Sequence, residues 1–136
     1  MLSALEIEAL SLSLKVALWA VGCSLVPGIA VAWLLARRDF PGKALLDGLV
    51  HLPLVLPPVA LGYLLLVLFG RNGPGGAWLH DWFGLSLVFS WRGAALAAAV
   101  MAFPLLVRAV RLSMEAVDRR LETAAQTLGA RPLRVF

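Results

Sequence analysis

Long uncharged runs, separated by short polar segments, dominate the chain. The first is Val16 to Ala36 and the second is Gly48 to Gly70, and each is long enough to cross the roughly 30 Å hydrocarbon core of a bilayer at about 1.5 Å per residue. The third run, Gly93 to Val107, reaches that length only when it is extended back to Leu85. The pattern predicts an all-α integral membrane protein with three transmembrane helices, at about 12–36, 48–69 and 86–108.

A different pattern follows the third run. Apolar residues recur there at spacings of three and four, which places them on one side of a helix. They are Met114, Val117, Leu121, Ala125 and Leu128. Charged residues, Glu122 among them, cover the other side, while Gly129 suits a helix end and Pro132 prevents continuation. We expect one helix in a segment at about 112–131, whose apolar stripe docks either onto its own bundle or onto a partner.

The second run contains three prolines within six residues, Pro53, Pro57 and Pro58. Each proline removes a backbone donor and obstructs the helical carbonyl four residues earlier. Lipid tolerates the freed polar groups only where protein or water satisfies them. The second span is therefore expected to kink, either towards a protein interior or wet pathway, or as a purely structural feature.

Composition excludes a soluble globular domain. Hydrophobic residues make up 61% of the chain and charged residues 15%, and the mean hydropathy is +0.88. Soluble domains lie nearer half apolar and a quarter charged. The net charge of +4 is explained by the Lys/Arg bias of cytoplasmic loops in membrane proteins, so no nucleic acid partner is expected, and membrane lipid is the solvent.

Lysine and arginine are distributed unevenly around the apolar runs. Residues 37–47 carry three of them and residues 108–136 carry six, whereas residues 71–91 carry only Arg71. Short loops rich in these cations stay in the cytoplasm. The N-terminus and residues 71–91, which begin with the turn-rich loop 71–76, are therefore expected outside, and residues 37–47 and 109–136 inside.

Three local patterns have a second interpretation. Gly70–Gly75 has the glycine spacing of a P-loop, but the next two residues are not the required Lys and Ser/Thr. The first run resembles part of a signal peptide, but Glu6 and Glu8 replace the positive start that such peptides need. The Asp47–His51 pair is interpreted as an interfacial hydrogen bond. With a single cysteine and two separated histidines, no catalytic residue, metal site or cofactor site is expected.

The segment Thr123-Ala124-Ala125-Gln126-Thr127-Leu128-Gly129 resembles the EAA loop of bacterial ABC-importer permeases, Glu-Ala-Ala-x-x-x-Gly. Thr123 stands where the motif has glutamate, and Glu122 lies one residue earlier. Three further segments resemble the molybdate permease branch of that family: Phe40–Asp47, His51–Pro58 with Gly62 and Tyr63, and Phe89–Gly93 followed by Phe103-Pro104-Leu105 and Arg108. The resemblance extends from about Leu10 to the end of the chain.

The resemblance implies that residues 1–136 are the N-terminal part of an ABC permease domain in the bacterial cytoplasmic (inner) membrane, apparently truncated. It implies molybdate import by alternating access, with ATP bound by a separate ABC ATP-binding subunit and not by this chain. The other implied partners are an extracytoplasmic oxyanion-binding protein and a second permease copy. The apolar stripe and the motif together give the candidate ATPase-coupling residues, which are Met114, Val117, Leu121, Glu122, Thr123, Ala124, Ala125, Leu128 and Gly129. The candidates for the translocation path are Pro53, Pro57, Pro58 and Gly62.

Two alternatives remain open. One is a sulfate, thiosulfate or tungstate permease of the same branch, because no cationic centre within a span distinguishes these dianions. The other is an inactive truncated remnant or membrane anchor whose cytoplasmic helix merely docks a partner. Its support is that the chain stops at Phe136, before the further helices that the resemblance implies.

Overall fold

The computed structural model describes residues 1–136 as seven helices with no strand. They are α1 (Ala4–Arg37), α2 (Lys43–Val55), α3 (Pro58–Phe69), α4 (Pro74–Phe83), α5 (Trp91–Ala116), α6 (Arg119–Thr127) and α7 (Pro132–Val135). Two of these helices, α1 and α5, are each long and apolar enough to cross a membrane. The bent pair of α2 and α3 meets the same test when its two helices are taken together.

Helix α1 begins well before the predicted start of the first span at about residue 12. Ser3 caps it: the Ser3 hydroxyl accepts from the Glu6 backbone N–H at 3.4 Å, and the Glu6 carboxylate accepts from the Ser3 N–H at 2.6 Å. This reciprocal capping box satisfies two N–H groups that otherwise lack helical partners. The residues before the first apolar run therefore extend α1 towards the N-terminus of the chain.

Helices α1 and α5 run parallel and form the main packing contact of the chain. The buried positions of α1 are mostly small residues spaced by four, namely Ala20, Ser24, Gly28 and Ala32. Small side chains let two membrane helices approach closely. At Gly28, an added Cβ would fall inside the contact distance of the Leu106 side chain on α5, so the two helices touch there.

The two ends of this helix pair differ. At one end, called the Trp91 end, the rings of Trp19 and Trp91 lie 6.0 Å apart and Lys15 Nζ lies 4.1 Å from the Trp91 ring centroid. At the other, called the Arg37 end, α2 joins the pair through a small apolar cluster. That cluster consists of Ala32, Leu35, Val50 and Val107, with Val31, Leu46, Phe103 and Val110 packed against it.

The second predicted span, 48–69, is two helices and not one. Helices α2 and α3 are bent by 111° relative to each other, and Leu56 between them is extended. A residue that precedes proline is driven out of the helical region, which applies to Leu56 and again to Pro57. Pro58 then occupies the first position of α3, where a missing N–H costs nothing. The sequence predicted a kink here, and the structure shows a complete break.

Two other boundaries differ from the sequence prediction. The third span was expected at 86–108, but α5 begins at Trp91, where Ser90 accepts from the Gly93 N–H at 3.3 Å, and it continues to Ala116. Residues 71–76 were expected to form a turn-rich loop, yet α4 begins within them at Pro74. Pro74 starts α4 and Gly84 ends it with a φ of +63°, which are favourable positions for both residues.

Candidate functional site

The expected coupling segment, about 112–131, does not form one helix. Helix α5 ends at Ala116, Val117 is extended, and α6 begins after Asp118. The Asp118 carboxylate accepts from the Arg120 N–H at 2.9 Å, and this N-cap favours a new helix start over continuation. The single apolar stripe predicted from the spacing is therefore wrong. Met114 lies on α5, Val117 lies at the break, Leu121 and Ala125 lie on α6, and Leu128 follows its last turn.

Gly129 ends this short helix in the geometry that glycine favours. Its φ is +87°, its N–H donates to the Gln126 carbonyl at 3.0 Å, and the Ala130 N–H donates to the Ala125 carbonyl at 3.0 Å. These two hydrogen bonds form a Schellman closure. A Cβ at Gly129 would meet open space, so the backbone conformation alone calls for glycine. The chain then turns into α7.

The two sides of α6 have different surroundings. Leu121 and Leu128 remain 67% and 88% exposed, whereas Glu122 and Ala125 are half-buried against the bundle. The sequence placed Glu122 on the solvent side, opposite the apolar stripe, and the structure reverses that assignment. Thr123 and Ala124 are exposed. The side of α6 that is free for another molecule therefore carries apolar leucines.

Arg37, in the last turn of α1, joins three helices at this end. Its guanidinium donates to the Glu122 carboxylate on α6 and to the Met114 carbonyl on α5, the latter at 3.2 Å. In the opposite direction, Arg119 of α6 donates to the Ala36 carbonyl of α1 at 3.1 Å. An adjoining cavity of about 860 Å³ is lined by parts of α1, α5, α6 and α7. No local pattern signals these contacts, because their partners are far apart in sequence.

A second polar cluster connects α2 to α5. Arg111 donates to the Asp47 carboxylate at 3.3 Å and to Glu115 at 2.8 Å. His51 Nδ1 lies 2.8 Å from the Asp47 carbonyl oxygen and 3.2 Å from its carboxylate, within hydrogen-bond distance of both. The Asp47–His51 contact expected from the sequence is present, and the structure adds Arg111, whose role the spacing did not reveal.

Positive charge is concentrated at the Arg37 end. Nine of the twelve lysines and arginines lie there: Arg37, Arg38, Lys43, Arg108, Arg111, Arg119, Arg120, Arg131 and Arg134. The remaining three, Lys15, Arg71 and Arg92, lie towards the Trp91 end. In the turn between α1 and α2, a hydrogen bond from Lys43 at 3.0 Å lowers the pKa of Asp39 below its usual value. The arrangement gives the chain one strongly basic end.

The four candidates for a translocation path do not form one site. Pro53 is half-buried within α2, while Pro57 and Pro58 are exposed at the break. Gly62 lines a largely apolar cavity of about 390 Å³ between α3 and the beginning of α5, and none of the three prolines contributes to that cavity. At the Arg37 end, by contrast, Met114, Val117 and Glu122 line one cavity.

Comparison with known proteins identifies the family. Residues 28–136 match the family described as binding-protein-dependent transport system inner membrane component. Two relatives named molybdenum transport system permease protein ModB are 61% identical over 132 residues (Haemophilus influenzae) and 64% identical over 131 residues (Escherichia coli K12). These matches cover 97% and 96% of this chain but 58% and 57% of the relatives. The sulfate transport system permease protein CysT of Escherichia coli is 42% identical over 103 residues, covering 76% of this chain and 37% of the relative. The chain spans little more than half the length of the molybdenum relatives. Because the family match covers most of its residues, the chain belongs to the binding-protein-dependent transport system inner membrane components.

Proposed function

We propose that the chain is part of the membrane permease of an ATP-driven molybdate importer. The observation that carries this proposal is α6, a short helix at the basic end of an apolar helix pair, with Leu121 and Leu128 exposed on its free side. Apolar side chains that stay exposed at the basic end, beside the membrane-spanning helices, are suited to contact with another protein. Identities of 61–64% to relatives named for molybdenum transport, against 42% to a sulfate relative, favour molybdate as the substrate.

In this proposal α6 is the coupling helix. An ABC ATP-binding subunit binds and hydrolyses ATP, and its movement is received by the free side of α6, at Leu121, Thr123, Ala124 and Leu128, with Gly129 fixing the helix end. The movement then reaches α5 through the Val117 connection and opens the path alternately to the two sides of the membrane. A second permease copy completes the path, and an extracytoplasmic oxyanion-binding protein delivers the substrate.

The proposed membrane arrangement has three spans, with α2 and α3 together forming a broken second span. The Arg37 end faces the cytoplasm of a bacterial inner membrane, because cytoplasmic segments are rich in lysine and arginine. The Trp91 end and the N-terminus face outward, and the contact of Lys15 with the Trp91 ring suits the interface, where tryptophan is enriched. The broken span is tolerated in lipid if protein or water covers the freed backbone groups.

This topology predicts a difference in labelling between two introduced cysteines. In a Cys23→Ser background, a cysteine at Asn72 should react with a membrane-impermeant maleimide in intact cells. A cysteine at Arg120 should react only after the cells are opened. Both positions are exposed, and the Arg120 side chain makes no hydrogen bond in the structure, so the comparison isolates the side of the membrane. Labelling of position 120 but not 72 in intact cells would reverse the topology.

A hybrid protein tests the proposed transport function. Residues 1–136 replace the matching segment of the Escherichia coli ModB relative, in a strain that lacks this relative. We expect ATP-dependent molybdate uptake, because a segment 64% identical to the one it replaces should keep the contacts to the other components. A parallel hybrid with the sulfate relative CysT is expected to insert but not to restore sulfate uptake. A ModB hybrid that inserts normally and transports nothing would favour a non-transporting anchor, and activity of the CysT hybrid alone would favour a sulfate permease.

A further inference from the structure

We infer that Arg37 is a positioning residue that holds α6 against both long helices, so that α6 moves together with α1 as well as with α5. The inference rests on the proposed function for its mechanistic meaning, but the contact itself is a property of this chain. The Arg37 side chain is only 15% exposed, and its guanidinium reaches the Glu122 carboxylate and the Met114 carbonyl. One side chain therefore links the ends of α1, α5 and α6.

The carbonyls in these contacts are ones that helix geometry leaves without partners. The last four carbonyls of an α-helix lack intrahelical donors. Met114 lies in the last turn of α5, which ends at Ala116, and Ala36 lies in the last turn of α1. Arg37 donates to the Met114 carbonyl, and Arg119 donates to the Ala36 carbonyl. Arginine at a helix C-terminus also interacts favourably with the negative end of the helix dipole. Arg37 thus connects α1 to the end of α5, and Arg119 connects α6 to the end of α1.

Glu122 supplies the charged partner because of where α6 starts. With Asp118 as N-cap, Glu122 projects towards the bundle, where it is half-buried, while Thr123 remains exposed. A carboxylate in that position without a donor would be destabilising, because half-buried charged groups need hydrogen bonds. Arg37 meets this need, and the pair fixes the orientation of α6 about its own axis. The exposed leucines then point away from the bundle.

The close packing of α1 with α5 determines which helices follow a movement of α6 through Arg37. Gly28 lies against Leu106 and Val107 is completely buried, so the two long helices are in tight contact as far as the Arg37 end. A displacement of α6 that acted only through the Val117 connection would reach α1 only by way of α5. With Arg37 and Arg119 in place, the same displacement pulls on the end of α1 as well. The three helices are therefore expected to move as one unit.

Spin labels test this link in the chain itself, without any transport assay. In a Cys23→Ser background, labels at Ala30 on α1 and Thr127 on α6, both exposed, should give a single narrow distance peak. Arg37→Gln and Glu122→Gln should each shift the equilibrium towards undocked α6 by about tenfold, as expected for loss of a charged hydrogen bond. Arg38→Gln is the matched control, because the Arg38 guanidinium lies 5.6 Å from the Trp33 ring centroid and makes no hydrogen bond or salt bridge with α6.

The charge-reversed pair Arg37→Glu with Glu122→Arg separates positioning from a general loss of structure. It should recover most of the docked population, although the Met114 carbonyl loses its donor. Unchanged narrow peaks in both single variants, or no recovery in the double variant, would overturn the inference. If the peaks broaden as expected but ModB hybrids with the same variants couple ATP hydrolysis to uptake normally, Arg37 positions α6 and the proposed coupling role of α6 is wrong.

Discussion

Replacement of Gly28 by leucine is expected to separate α1 from α5 and to lower the thermal stability of the purified protein. A Cβ at this position would already overlap the Leu106 side chain, and Phe103 lies 3.7 Å away, so a leucine has no space. Overpacking of a tight contact costs about 2–3 kcal/mol. For a chain of this size, that corresponds to a fall of about 5–15 °C in the midpoint of thermal unfolding.

The matched control for this prediction is Gly22→Leu. Gly22 is on the same helix but is exposed, with no atom within 4 Å of an added Cβ, so the same side chain should be accommodated. Both variants are purified in detergent, and the fraction that remains monodisperse after heating gives the midpoint. Leu106→Ala should partly restore Gly28→Leu by making room for the new side chain. Equal midpoints for Gly28→Leu and Gly22→Leu would show that α1 and α5 are not packed as described.

Replacement of Gly129 by valine is expected to reduce coupled uptake while leaving membrane insertion intact. A residue with a Cβ in the left-handed region is strained by about 1–2 kcal/mol, and β-branching increases the strain. The two hydrogen bonds of the Schellman closure would be lost or distorted, which changes the end of α6 and the path into α7. An equilibrium shift of this size corresponds to a factor of about 5–30, and we expect uptake by the ModB hybrid to fall by that order.

Asparagine provides the control at Gly129, because it tolerates the left-handed conformation better than other residues with a Cβ. Gly129→Asn should retain most of the uptake, since open space surrounds the site. Leu121→Glu tests the free side of α6 by another route, because it alters the surface without touching the closure. The measurements are co-purification of the ATP-binding subunit, ATP hydrolysis and molybdate uptake. Normal values for Gly129→Val and Leu121→Glu together would show that α6 is only a connector.

The sequence predicts those features of the fold that depend on neighbouring residues. Gly129 was identified as a helix end because glycine favours a positive φ, and the kink near Pro57 followed from proline chemistry. Residues that favour helix ends also occur at two boundaries that the apolar spacing does not predict. Asp118 is a good N-cap, yet the apolar spacing continues across it in the same phase and therefore predicts one helix where the structure has α5 and α6. Pro74 and Gly84 delimit α4, although a glycine-rich composition favoured a loop.

The remaining features depend on contacts between residues far apart in the chain. Arg37 and Glu122 are separated by 85 positions, and Arg111 and Asp47 by 64. The spacing of apolar residues describes one helix at a time and carries no signal for which side of α6 meets α1. For that reason Glu122 was assigned to the wrong side. The 111° angle between α2 and α3 follows from the extended backbone at Leu56 and Pro57, and proline rules require a break there without setting its angle.

The parallel pairing of α1 with α5 also has a consequence for biogenesis. Residues 38–90 separate the two helices, so α1 must enter the membrane and wait for its partner. At translation rates of about 5–20 residues per second, that interval is roughly 3–10 s. During this time the small-residue surface around Gly28 has no α5 to pack against, and the hydropathy of α1 alone keeps it in the bilayer. Variants at this surface should therefore integrate normally and be recognised afterwards by membrane proteases that act on unassembled helices.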